Sequence, residues 1–187
     1  LGAGQNMVAI PEGDYRPLYM SEDSPQTQVK RFNIDVEPVT NQQYWQFVTA
    51  NPRWQPQVIP QIFAEPQYLQ HWVTSGKGQE KIPVKSALNS PVTNVSWFAA
   101  QAYCRSLDKR LPTVAEWERV ASASETHADG SQEKNYHQRI LEWYSLPSSK
   151  QLPEVGANPA NFWGVQDLHG LIWEWTQDFN SALVSGE

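Results

Sequence analysis

At 187 residues, 40% hydrophobic and 12% aromatic, the chain has enough apolar surface to build one ordinary domain around a buried core. Fourteen lysines and arginines against twenty aspartates and glutamates leave a net charge of -6 with no basic cluster, which argues against a phosphate-backbone binder and hence against a nucleic-acid partner. Mean hydropathy is -0.59 and no apolar run approaches 18 residues, so no membrane-spanning helix is expected; Leu1 to Gly4 lacks the charged and apolar regions of a signal peptide.

In chain order, Met7 to Ile10 and Val29 to Ile34 read as short strands. In VTNQQYWQFV, Thr40 and Gln43 have capping-box spacing, with Val39 and Tyr44 at the staple positions, so a short amphipathic helix is expected. Residues 51–89 are polar and punctuated by proline, and WVTSGKGQEKIPV reads as loop. Ser96 is an N-cap candidate for SWFAAQAYCRSL, where Trp97, Ala100, Tyr103, Cys104 and Leu107 recur at helical spacing; this predicts one apolar face and a buried Cys104. Thr113 and Glu116 repeat the capping box in LPTVAEWERVA, with Trp117, Val120 and Ala121 as the stripe. HQRILEWYSL reads as a further short helix.

Cys104 is the only cysteine, which excludes an internal disulfide, a CxxC motif and a cysteine-based zinc site in this sequence. Fourteen prolines and ten glycines beside nine tryptophans point to a loop-rich domain held by large aromatic anchors. No internal repeat appears, and residues 1–187 read as a single domain.

Four stretches, MVAIPEGDY, EPVTNQQYWQFV, PVTNVSWFAAQAYCRSLDKRLPTVAEWERVA and VGANPANFWGVQDLHGLIWEWTQDF, stand in the order of the formylglycine-generating enzyme family, also called the sulfatase-modifying factor family, which the chain resembles over most of its length. The resemblance implies an α+β, C-type-lectin-like fold with little regular secondary structure and a tryptophan-stapled core. It also implies one calcium site in VQDLHGLIWEW, formed by the Asp167 side chain, the carbonyls of Gly170 and Ile172 and the Glu174 side chain, with Trp173 and Trp175 packed on either side. Leu171 stands where many members carry asparagine, and the insertion that builds a second calcium site in some relatives is missing.

Family oxidases bind copper and substrate through a cysteine pair beyond the WEW segment, and this sequence stops at Glu187 before that region. The resemblance therefore implies a missing C-terminal portion, carried on a tail or a second chain or lost, and no catalytic residue among those present. Cys104 matches the structural AYC cysteine, which in relatives can pair with a cysteine of that tail.

Taken alone, Asp167 and Glu174 would read as caps of a tight turn, and His169 as a hydrogen-bonded structural residue. His127 and His137 have no matched partner at metal-site spacing. Trp97 and Trp117 fall on apolar helix faces and read as core, the sugar-reading EPN and QPD tripeptides are absent, and Arg110 reads as an anchor for backbone carbonyls. Asn94-Val95-Ser96 matches a glycosylation sequon but sits inside the VSW motif, where it reads as incidental.

The expected function is that of a maturation or accessory factor without the copper cysteines, acting on a protein client such as a periplasmic oxidoreductase. The alternatives are an oxygen-dependent formylglycine-generating oxidase completed by a C-terminal segment, and a lectin-like binding module for protein or glycan. An exported, periplasmic location is expected, with the cytoplasm as the alternative.

Overall fold

A computed structural model of the chain describes residues 6–17, 20, 23–76, 78, 80–147 and 151–178. Its contacts fall into two compact units: Leu1–Pro38 with Pro112–Ser149 and Gly156–Glu187, and Val39–Leu111 with Lys150–Val155. Helix and strand are mixed and regular structure is modest, in keeping with the expected α+β class. Among the described residues no helix is long and apolar enough to cross a membrane.

In the first unit, β1 (Met7–Ile10) pairs antiparallel with β4 (Phe32–Asp35), with Ile10 opposite Phe32. β2 (Gly13–Tyr15) pairs with β3 (Thr27–Val29). The single strand expected over Val29 to Ile34 is thus two strands with different partners. The reason lies in the pleat: Val29 and Phe32 are both buried, and residues three apart cannot face the same side of one continuous strand, so the chain breaks at Lys30 and Arg31.

α3 (Val114–Ala121) starts with the predicted box, Thr113 capping Glu116 N and the Glu116 carboxylate accepting from Thr113 N. Val120 and Ala121 join Ile10, Tyr15, Val29, Phe32, Val165 and Leu168 in the core, with Trp117 packed against them. On the same helix Arg119, 7% exposed, donates from Nη1 to the Asp14 carbonyl (2.9 Å) and from Nη2 to the Pro11 carbonyl (3.0 Å). A Cβ at Gly13 would stand 2.6 Å from Arg119 Nη2, so a larger residue there would push the guanidinium away from these carbonyls.

α4 (Tyr136–Ser145) is tied to the end of α3 by the Tyr136 hydroxyl, which lies 3.1 Å from the Ala121 carbonyl and 2.8 Å from that of Ala123. Between the helices, Glu133 gathers the Ser124 and Thr126 hydroxyls, His127 Nδ1 at 2.9 Å and the Arg139 guanidinium at 3.0 Å. His127, read from the sequence as having no partner at metal-site spacing, serves here as a hydrogen-bond partner of Glu133. These hydrogen bonds, foremost that of Ser124, hold the Glu133 carboxyl down at about 2.

In the second unit, α1 (Asn41–Ala50) and α2 (Trp97–Ser106) carry the predicted caps, the Thr40/Gln43 box and Ser96. Their core contains Tyr44, Phe47, Val48, Ala99 and Tyr103, with rings of Tyr44 and Tyr103 at 5.7 Å and of Phe47 and Tyr103 at 5.5 Å. The buried face of α2 is therefore the Ala99–Tyr103 line; Cys104 is half-buried rather than buried, and Leu107 is exposed.

Residues 51–89 are not merely loop. They place Trp54, Tyr68, Leu69 and Trp72 in this core, and WVTSGKGQEKIPV contains a short antiparallel pair, β5 (Val73–Thr74) with β6 (Lys81–Ile82). Asn41 joins these pieces. Its amide donates to the carbonyls of Ala87 (2.9 Å), Ser90 (3.2 Å) and Pro91 (3.3 Å), and its oxygen accepts from Trp72 Nε1 (2.9 Å).

Truncating Asn41 strands a buried indole N–H and several buried carbonyls, so Asn41→Ala should cost roughly 3 kcal/mol in urea unfolding; a loss below about 1 kcal/mol would show that water replaces the amide. The depressed Glu133 carboxyl contributes stability that is present above its ordinary value of 4.5 and lost as pH falls toward about 2. Melting curves between pH 5 and pH 2 should therefore fall more steeply for the wild type than for Glu133→Gln.

Candidate functional site

The candidate residues lie in the first unit, on the irregular segment from Gly156 to Asp178 that follows α4. Side chains do there what a strand ladder does elsewhere. Asn161 Oδ1 accepts from the Trp163 (3.0 Å) and Val165 (3.1 Å) amides while its Nδ2 donates to the Val120 carbonyl (2.9 Å). Gln166 Nε2 donates to the Asn158 carbonyl at 2.7 Å.

Asp167 is 4% exposed and sits at φ 61°, a left-handed conformation that aspartate tolerates better than most residues. Its Oδ2 accepts from Gly156 N at 2.5 Å and its Oδ1 from Asn158 Nδ2 at 2.7 Å. Each carboxylate oxygen retains a further lone pair. Gly156, at φ 77°, and Gly170, at φ 80°, flank this turn. A Cβ at Gly170 would lie 2.9 Å from Trp143 Cβ, so both handedness and space select glycine there.

Glu174 turns the other way, toward α3, and its Oε2 accepts from Trp117 Nε1 at 2.5 Å. The residue keeps partial exposure as a whole, but its carboxyl group is enclosed. Burial pushes that carboxyl up to about 7, with the Asp167 charge adding to the rise and the Trp117 hydrogen bond opposing it. Beyond Glu174, Gln177 N donates to the Pro112 carbonyl (2.7 Å) and Asp178 accepts from Val114 N (2.8 Å). The segment thus runs beside the start of α3.

Asp167 and Glu174 are held by different partners yet lie within electrostatic reach of one another. Among the described residues no three His, Cys, Asp or Glu side chains converge, so a cation here would draw on backbone carbonyls such as those of Gly170 and Ile172. Trp173 departs from expectation: it is 88% exposed and packs on Tyr144, while Trp175 is half-buried.

His169 is the structural residue its sequence context suggests. Nε2 lies 2.7 Å from the Ala121 carbonyl and must carry the proton, which leaves Nδ1 to accept from the Tyr144 hydroxyl at 3.3 Å. Its ring stacks on Trp143 and meets Trp117 edge-on, and burial pulls its pKa below the ordinary value, against the Ala121 bond. A cavity of about 40 Å³ beside it is lined by Ser124, Asn158, Asp167 and His169, with room for about one water molecule.

Comparison with known families settles the kinship. The sulfatase-modifying factor enzyme 1-like domain model matches residues 2–185. The chain belongs to this family. Within the sulfatase-modifying factor family it is 30% identical over 222 residues to the inactive C-alpha-formylglycine-generating enzyme 2 of Bos taurus, covering 94% of this chain and 72% of that protein. It is 27% identical over 217 residues to the formylglycine-generating enzyme of Mycobacterium tuberculosis, covering 91% of this chain and 73% of that protein. The solved structure of CarF superposes with a TM-score of 0.54 at 21% identity, covering 92% of this chain and 79% of CarF, which supports the shared fold.

Asn158, Asn161, Gln166 and Tyr144 were not singled out from the sequence. The Asn, Gly and Pro density of VGANPANFWG signals turn chemistry and could have pointed to the first two.

Proposed function

We propose that this chain is a non-oxidising member of the sulfatase-modifying factor family that serves as an accessory or maturation factor for a protein client, its Asp167–Glu174 segment braced by one calcium ion. What supports the reading is the similarity, over 94% of the chain, to a relative named as inactive. A client among periplasmic oxidoreductases, and export to reach it, belong to the same proposal.

The calcium part rests on the enclosed Glu174 carboxyl beside Asp167. A bound divalent ion would supply positive charge where two carboxylates face little solvent, with the carbonyls of Gly170 and Ile172 completing an all-oxygen shell. Asp167 then fixes the turn through Gly156 and Asn158, and Glu174 fixes the following segment to α3 through Trp117. The role is structural: the ion joins two anchor points that the chain otherwise holds separately.

The second reading, a formylglycine-generating oxidase, is favoured by the 27% identity to the mycobacterial enzyme over 91% of the chain. Oxygenated copper and a cysteine-containing peptide, incubated with the native-source protein, separate the two. The peptide should keep its thiol, and an aldehyde product by mass spectrometry would install the oxidase reading instead.

Calcium at a hundred times its Kd should raise unfolding free energy by about 2.7 kcal/mol and the melting temperature by several degrees. Asp167→Ala and Glu174→Ala should abolish that rise. In chelator at pH 7, Glu174→Gln should match or exceed the wild type, because it removes a carboxyl that resists ionisation in the folded state. Identical wild-type curves with calcium and with chelator would exclude the ion.

A further inference from the structure

Among the described residues three buried side-chain atoms capable of hydrogen bonding make none: Gln55 Oε1, Arg119 Nε and Trp163 Nε1. Two of the three are donors, and they belong to neighbouring side chains. The Arg119 guanidinium lies over the Trp163 ring, its central carbon 5.5 Å from the ring centroid. Both side chains are held by other contacts and have little freedom to turn these N–H groups toward water. Arg119, 7% exposed, is fixed through Nη1 and Nη2 to the Asp14 and Pro11 carbonyls. The Trp163 amide is held by Asn161 Oδ1, and its ring packs against the core of the first unit. A buried donor without an acceptor costs at least as much as a lost hydrogen bond, and folded proteins keep few of them. Two such donors side by side favour one shared acceptor.

Reach and charge decide what that acceptor is. Two hydrogen bonds of about 3 Å span about 6 Å, and the 5.5 Å between guanidinium and ring falls within that reach, so a single atom can serve both donors. Among the described residues no carboxylate forms an ion pair with Arg119, and the groups it does bond are neutral carbonyls. Burial pulls the guanidinium pKa below its ordinary value, and Asp14 opposes this only through space. A buried charge in this setting gains more from a negative ligand than from a neutral one. A water molecule would also bring two O–H groups that need acceptors of their own, where the nearest carbonyls already bond Arg119. A monatomic anion brings none. We propose that Arg119 Nε and Trp163 Nε1 together bind a halide ion, chloride under ordinary conditions. The ion would join α3 to the segment that follows Gly156. It involves neither Asp167 nor Glu174, so the site stands whether or not calcium binds.

The test is a titration of the protein, labelled with ¹⁵N at its indole nitrogens and kept in chelator, in which sodium gluconate is exchanged for sodium chloride at constant ionic strength. The indole signal that disappears in Trp163→Phe identifies Trp163. In the wild type that signal should shift saturably with chloride. The melting temperature should rise by a few degrees once chloride reaches about ten times its Kd. Trp163→Phe keeps an aromatic ring and removes one donor, so its melting temperature should need at least about fivefold more chloride for the same rise. A wild-type Trp163 signal that shows no saturable response, the result expected if water fills the site, would overturn the proposal. So would an equal chloride dependence of the melting temperature in Trp163→Phe.

Discussion

The buried amide of Asn41, with four partners on two separate segments, shows in miniature the constraint that shapes this protein. Every described sheet has two strands, so most of the irregular backbone has no ladder to satisfy it. Polar side chains take over. Asn41 does so around residues 87–91, Asn161 around residues 161–165, and Asp167 and Gln166 around residues 156–158. Such bonds are local in space but distant in sequence, and each removes the alternative conformations that a proline- and glycine-rich chain would otherwise sample.

The same constraint explains why aromatic rings dominate both cores. A short helix or a two-stranded pair buries little apolar surface, so the residues that do face inward must be large. Tyr44, Phe47, Trp54, Trp72 and Tyr103 fill the second unit, and Phe32, Tyr15 and Trp117 do comparable work in the first. Several of these rings also use their polar atoms: Trp72 Nε1 goes to Asn41, Trp117 Nε1 to Glu174 and the Tyr136 hydroxyl to the end of α3, whereas the buried Trp163 Nε1 makes no hydrogen bond among the described residues.

What was legible in the sequence was whatever is encoded within a few residues. The boxes at Thr40 and Thr113 and the cap at Ser96 depend on spacing of two or three positions, and all are present. The core role of residues 54–72 was not legible, because Trp54, Tyr68 and Trp72 follow no helical or strand period and are placed by turns. The break at Lys30 and Arg31 was hidden by a strand-like run whose burial parity only the fold reveals. At the candidate site, Asp167 and Glu174 were reached through family resemblance. Their actual holders, Gly156, Asn158 and Trp117, lie up to 57 positions away and leave no local trace. The resemblance also led to Trp173 as packing, where the structure turns it outward.

The outward turn of Trp173 has an optical consequence. Indoles in polar surroundings emit at longer wavelength than enclosed ones, and excitation energy passed among neighbouring tryptophans drains toward the ring that emits furthest to the red. Trp117 and Trp143 lie around His169, and Trp173 stands one ring further out, on Tyr144. Among the described tryptophans Trp173 is the most exposed, and its emission therefore weights the long-wavelength edge of the spectrum.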